Sequence, residues 1–173
     1  MKQVVTVLRT YLELRSPEQL RPAYINDPSV RFRRREGITV EQYRKLYETV
    51  GRRWFWRDRA AWSDERLAAH LAHPTIVVWE CCVGDATAGF FELARHDDGS
   101  IEIAYFGLVP EFIGHGLGKA MLTHAAEQAW AAGANRVWLH TCTLDSPHAL
   151  PNYKARGFEE VRTETYEYAL PAD

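Results

Sequence analysis

Between Leu108 and Lys119 the chain reads Leu-Val-Pro-Glu-Phe-Ile-Gly-His-Gly-Leu-Gly-Lys, and three alternating glycines, Gly114, Gly116 and Gly118, separate a strand-like run from a helix-like run. Upstream, Ile101, Ile103, Tyr105 and Phe106 bring β-branched and aromatic content. Downstream, Ala120, Met121, Leu122, Ala125, Ala126 and Ala129 are helix formers with apolar three-four spacing. Strand, glycine turn and helix, in that order, make the setting of a phosphate cradle. Missing side chains let backbone N–H groups close on an anion, and the positive end of the helix dipole adds attraction. The bland alternative is a glycine turn that only packs a helix on a sheet.

Spacing separates the phosphate motifs that compete for this segment. The P-loop needs four residues between its first glycine and Gly-Lys-Ser/Thr. Here Gly114 and Gly118 enclose three, and Ala120 has no hydroxyl for a magnesium ion. The dinucleotide fingerprint wants Gly or Ala where Lys119 stands, and an acidic residue about twenty positions on. Neither is present.

A second pattern lies further on. Val137 to Cys142 reads as a buried strand, and after Leu144-Asp145-Ser146-Pro147 a short helical stretch ends in Asn152-Tyr153-Lys154-Ala155-Arg156-Gly157-Phe158, with Gly157 as a fitting stop. The two segments together resemble the GNAT N-acetyltransferases. Leu108, Val109 and Pro110 fit the family's Val-x-Pro strand end. Gly116 and Gly118 fit its Gln/Arg-x-x-Gly-x-Gly/Ala loop, and Ala149, Tyr153, Gly157 and Phe158 fit its closing Ala-x-x-x-Tyr-x-x-x-Gly-Phe. There are two departures. Ile113 stands at the Gln/Arg position, so backbone amides must replace a side-chain contact, and Ser146 replaces a frequent asparagine.

The resemblance implies an α/β (α+β) fold: a mixed, mostly antiparallel twisted sheet flanked by helices and splayed at a central cleft that admits acetyl-CoA. The implied coenzyme contacts are Phe106, Gly107 and Leu108 at the strand end, Ile113, Gly114, His115, Gly116, Leu117, Gly118 and Lys119 in the loop, and Ser146. The implied reaction moves an acetyl group from acetyl-CoA directly to a primary amine. An alkyl ammonium, with a pKa near ~10, must shed a proton before it attacks. Glu102 is the first candidate for the base, Glu92 the substitute, and a water chain to His140 a third route. Leu108 N–H would face the developing oxyanion. Tyr153 would protonate the departing thiolate. A phenol near ~10 is a weaker acid than a thiol near ~8.5, an unfavourable transfer of about 2 kcal/mol. Either Tyr153 is made more acidic, or its proton moves only as the carbon–sulfur bond breaks.

Composition predicts a single domain spanning 1–173. It is 46% hydrophobic and 25% charged, and its net charge of -2 lacks the broad basic footprint of a nucleic-acid binder. No apolar run is long enough for a bilayer span. Arg9, Glu13 and Arg15 interrupt the N-terminal apolar stretch, so no signal peptide and a cytoplasmic site are expected. The three cysteines, Cys81, Cys82 and Cys142, show no disulfide framework or paired metal-ligand spacing, so they read as buried thiols and no metal is expected.

Along the chain, a strand is predicted near Thr6 to Leu14 and a basic segment over Val30 to Glu36. A helix follows from Val40, capped by Thr39, whose inward stripe is Val40, Tyr43, Tyr47, Val50 and Trp54. A second helix opens at Ser63-Asp64-Glu65 and ends before Pro74. Strands Thr75 to Val83 and Ala88 to Ala94 flank Gly84-Asp85. Trp54 is expected in the core, while Phe55 and Trp56 either line an acceptor pocket or pack on the next element. An aromatic wall suits an apolar or cationic acceptor. Arg31, Arg33, Arg34 and Arg35 read as a solvated strand face, with an acidic acceptor or the coenzyme's ribose phosphate as the alternative. A non-catalytic acyl-CoA-binding module is the competing function. The sequence leaves the acceptor and the oligomeric state open.

Overall fold

The computed structural model describes residues 3–170; Met1 and Lys2, at the start of the stretch read for a signal peptide, lie outside the described residues. In chain order it holds β1 (Val4–Leu14), β2 (Val30–Arg34), α1 (Val40–Gly51), α2 (Asp64–Ala72), β3 (Ile76–Val83), β4 (Ala86–Arg95), β5 (Ile101–Leu108), α3 (Leu117–Ala131), β6 (Val137–Cys142), α4 (Ala149–Ala155) and β7 (Glu159–Ala169). The strands form one seven-stranded sheet in the order β2-β3-β4-β5-β6-β1-β7. Neighbours run antiparallel except β5 and β6, which are parallel and joined through α3. This is the mixed, mostly antiparallel sheet that the sequence predicts.

Alternation along the strands feeds separate apolar layers. Phe91 and Leu93 of β4 pack with Leu12, Ile103 and Leu139 beneath Met121, Leu122 and Ala125 of α3. Phe90, one residue from Phe91, joins Val78 under Tyr43, Leu46, Tyr47 and Val50 of α1 and Leu67 of α2. Adjacent strand residues point to opposite faces, so β4 serves both layers. Helix α1 starts at a capping box: Gln42 N–H donates to Thr39 Oγ1 at 3.2 Å, and Thr39 N–H donates to Gln42 Oε1 at 3.2 Å. Such a cap contributes about 1 kcal/mol. Ser63 caps α2 by a single bond, its Oγ accepting the Arg66 N–H at 3.2 Å. No helix among the described residues is long and apolar enough to cross a membrane.

The basic segment is an edge strand, paired rather than merely solvated. Arg33 of β2 and Arg35 just after it reach Glu80 of β3 at 2.9 and 2.5 Å, and Arg31 donates to the Gly84 carbonyl at 2.9 Å. Charge along an edge discourages pairing with other chains. Strands β3 and β4 stand between this run and β5, so it lies away from the glycine loop.

Gly157 closes α4 with φ +97, and a methyl there would overlap the Gln19 carbonyl oxygen. The connection after β1 is laid on this turn: Gln19 Nε2 donates to Gly157 O at 3.0 Å, and Arg21 N–H donates to Arg156 O at 2.9 Å. Gly157→Ala is therefore expected to destabilise the protein by about 2 kcal/mol or more, through left-handed strain plus loss of this docking. A urea titration should show a lower midpoint with an unchanged slope; an unchanged midpoint contradicts the assignment.

Candidate active site

Strands β5 and β6 are paired only at Ile101 with Val137 and at Glu102 with Trp138. Beyond that they separate, and the gap widens into a cleft of about 730 Å³. Between β4 and β5 the register slips, with Leu93 facing Ile103 and Glu92 facing Tyr105, so Ala104 is an extra residue. A bulge of this kind bends the strand that carries it. It sits where β5 leaves β6. Val109 N–H donates to Ala88 O of β4 at 2.8 Å, and Leu108 is the next residue up the ladder, opposite Gly89. Antiparallel pairs alternate, so the Leu108 N–H points away from β4 and into the gap.

The glycine loop forms one end of this cleft. Gly114 and Gly116 take left-handed conformations, φ 88 and 76, and Gly116 is the N-cap of α3. No side chain caps the helix, so the amides of Gly116, Leu117, Gly118 and Lys119 keep the free donors of a helix start. The Ile113 amide is different: it donates to Pro110 O at 3.2 Å. A grip by main-chain amides therefore begins after residue 113. Ile113, Gly114, Gly116, Gly118 and Lys119 line the cleft. The Leu117 side chain, 2% exposed, belongs to the core, so only its amide faces this end, and His115 is exposed outside the cleft lining. Donors without partners at a positive helix end fit a diphosphate.

Phe106, Gly107 and Leu108 line the β5 wall, and Val50 of α1 occupies the space behind Gly107 where a side chain would stand. Opposite them are Ser146 and Tyr153. Ser146 Oγ accepts the His148 N–H at 3.3 Å. Tyr153 is buried, its ring 6.1 Å from Phe106 and 6.3 Å from Phe158. Burial pushes the Tyr153 phenol well above its ordinary range, and Asp145 adds to this. Of the two routes for its proton, added acidity is thus disfavoured.

Glu102 lines the cleft at the foot of the gap, 2.9 Å from His96 Nε2 and 3.9 Å from His140 Nε2. Partial burial, with Arg9 nearby, holds the His140 imidazole below its ordinary value, so it is neutral at neutral pH. Glu92, the substitute base, does not reach the cleft. It is fully buried: Arg59 Nη1 and Tyr43 Oη donate to its Oε1, the latter at 2.9 Å, and His70 Nε2 lies 3.2 Å from Oε2. Burial alone would raise this carboxyl; hydrogen bonds from His70 and Arg59 outweigh it and hold it below the usual range.

The far wall departs from expectation at Trp54. Helix α1 ends at Gly51, and a 3-10 turn over Arg52–Trp54 rotates the stripe, so Trp54 faces the cleft instead of the core. Trp56 takes the inward place: its N–H donates to Gly51 O at 3.1 Å, and its indole lies over a glycine with no side chain to displace it. Trp56 packs on Phe90 and Tyr105, at 6.0 and 5.0 Å, and also lines the cleft, as does Phe55. Cys81 and Cys82 are buried, whereas Cys142 is half-buried and reaches the cleft. Tyr166 and Tyr168 of β7 and Arg9 of β1 complete the wall, none of them singled out from sequence.

The acetyltransferase (GNAT) family matches the sequence over residues 40–158. None of the curated proteins matches it. Among solved structures, the chain is similar to a GCN5-related N-acetyltransferase from Sphaerobacter thermophilus, with a TM-score of 0.71 at 14% identity, covering 97% of this chain and 53% of that one. It is also similar to one from Kribbella flavida, with a TM-score of 0.65 at 17% identity, covering 98% and 61%. An aminoglycoside acetyltransferase from an uncultured soil metagenomic sample, in complex with trehalose, matches at a TM-score of 0.63 and 14% identity, over 75% of this chain and 88% of that one. The chain thus spans little more than half the length of the first two. At these identities the likeness is one of fold.

The Glu92 cluster behind the far wall makes a testable claim on stability. A carboxyl held low in the folded state stabilises the protein above its unfolded pKa of ~4.3, and that stabilisation is lost as pH falls through the folded value. Glu92→Gln leaves Arg59 buried without its counter-charge, so a loss of about 3–5 kcal/mol at pH 7 is expected, shrinking as the pH is lowered. Urea unfolding across an acid-to-neutral series measures this. Equal stability of the variant at pH 7 refutes it.

Proposed function

The chain belongs to the GNAT acetyltransferase family, and we propose on that premise that it moves the acetyl group of acetyl-CoA to a primary amine by direct attack. The observation that carries the proposal is the convergence, in one cleft, of the free amides of residues 116–119, the Leu108 N–H and the Tyr153 side chain.

The coenzyme supplies the activated thioester carbonyl. Amides from Gly116 to Lys119 hold its diphosphate at the positive end of α3, with Lys119 as an additional cation at the rim. Phe106, Gly107 and Leu108 on one side and Ser146 on the other flank the path from the loop into the gap. Glu102 takes the proton of the incoming ammonium through a chain of waters along β5, and passes it to His96 or His140 within its reach. Leu108 N–H donates to the carbonyl oxygen as negative charge develops there. Tyr153, whose phenol burial keeps protonated, gives its proton to the sulfur only as the carbon–sulfur bond opens. A thiolate expelled into a dry pocket needs that donor. We place the protein in the cytoplasm, a reducing compartment that suits its three free cysteines.

Replacing Tyr153 by Phe is expected to lower kcat by roughly 10²-fold or more, with the affinity for acetyl-CoA kept. Calorimetry and single-turnover kinetics read the two separately. An unchanged kcat removes the acid role, and kept affinity with no turnover in the parent protein favours a binding module. In Glu102→Gln the rate should keep rising with pH toward the amine's own pKa of ~10, because only spontaneously neutral amine then reacts. A pH profile that overlays the parent's shows Glu102 is not the base.

A further inference from the structure

Resting on the acetyl-transfer reading, we propose that the acceptor is an arylalkylamine, a primary amine on an aromatic framework, with its ring held by Phe55 and Tyr168 and its nitrogen turned into the cleft toward the thioester. The wall that would receive it is built from two segments far apart in sequence, the α1–α2 connection and β7. They meet at Phe55 and Tyr168, whose ring centroids lie 6.5 Å apart at 65°. That is edge-to-face geometry, and a third ring inserts readily beside such a pair.

Phe55 carries φ 59, the only positive φ outside glycine among the described residues. A bulky residue holds the left-handed region only where its surroundings over-determine it, and such positions cluster at ligand sites. Here the conformation turns consecutive aromatic residues to different tasks. Trp56 folds inward and is locked edge-on against Tyr105 at 5.0 Å, while Phe55 is left at the cleft.

Charge along this wall selects for one ammonium group. Arg59 is spent on Glu92, and Arg9 on Glu164 at 3.1 Å, with its guanidinium over the Tyr166 ring at 4.9 Å. Of the carboxylates lining the cleft, Asp145 is held by Thr141 and Cys142 and Glu102 stands beside His96 and His140, which leaves Asp58 next to Arg57. A flat apolar body with a single cationic nitrogen matches that arrangement. A polycationic amine does not, because Arg57 and Lys119 on the same lining repel additional ammonium groups.

The test compares kcat/KM for phenylethylamine with that for an aminoglycoside, the acceptor class named for one structural neighbour, at saturating acetyl-CoA. Phenylethylamine should be favoured by about 10-fold or more, which corresponds to ~1.4 kcal/mol. Phe55→Leu, which keeps apolar bulk without a ring, should lower kcat/KM for phenylethylamine by a similar factor, mainly through KM. Unchanged acetyl-CoA affinity in the same variant shows that it is folded. Tyr168→Leu should act alike. Equal or better use of the aminoglycoside, or no effect of either variant, overturns the proposal. Should no amine turn over, calorimetric titration of phenylethylamine into CoA-loaded protein decides: binding weakened by Phe55→Leu keeps the acceptor class and overturns the transferase reading, and absence of binding overturns the acceptor class.

Discussion

The parting of two parallel strands governs the rest of this molecule. Strands β5 and β6 share only two residue pairs before the bulge at Ala104 bends β5 away. Backbone donors and acceptors left unpaired in this way are costly unless water or a ligand meets them. The crossover through α3 then sets the helix N-terminus at the mouth of the same gap, so unpaired strand edge and unpaired helix amides face one volume. A cleft lined by main-chain donors is suited to phosphate and carbonyl oxygen.

The gap persists because both of its sides are anchored elsewhere. On one side, α3 buries Met121, Leu122, Ala125 and Ala129 in the core, so the glycine loop is attached to a fixed helix. On the other, the α1–α2 connection is tied to β4 by Arg59 on Glu92 and by Trp56 on Phe90. A buried ion pair is weak evidence for net stability, since desolvation offsets much of its attraction. Its consequence here is positional: with Arg59 held inward, the residues beside it in sequence present Phe55 and Asp58 to the cleft.

Local patterns in the sequence carried much of this. Gly114, Gly116 and Gly118 lie between a β-branched run and an alanine-rich run, and strand, turn and helix follow from that alone. Thr39 announced the start of α1, and Gly157 the end of α4. What failed to show depends on contacts distant in sequence. The helical period carried the α1 stripe on to Trp54, but Trp56 folding over Gly51 ends the helix and turns Trp54 outward. Glu92 looked like an available carboxylate because its partners Arg59, Tyr43 and His70 lie 22 to 49 residues away. Tyr166 and Tyr168 sit in a strand whose other residues are largely charged and exposed, so nothing local tied them to a cleft.

The central claim is that amides from Gly116 to Lys119 hold the coenzyme's diphosphate and thereby direct its thioester along β5 toward Tyr153. Amide hydrogen exchange, residue by residue and with and without CoA, tests it most directly. The account predicts strong slowing at Gly116, Leu117, Gly118 and Lys119, slowing at Leu108 when acetyl-CoA replaces CoA, and no change at Ile113, whose N–H is already given to Pro110. Saturating CoA that leaves the loop amides unprotected, or protects another surface instead, contradicts it.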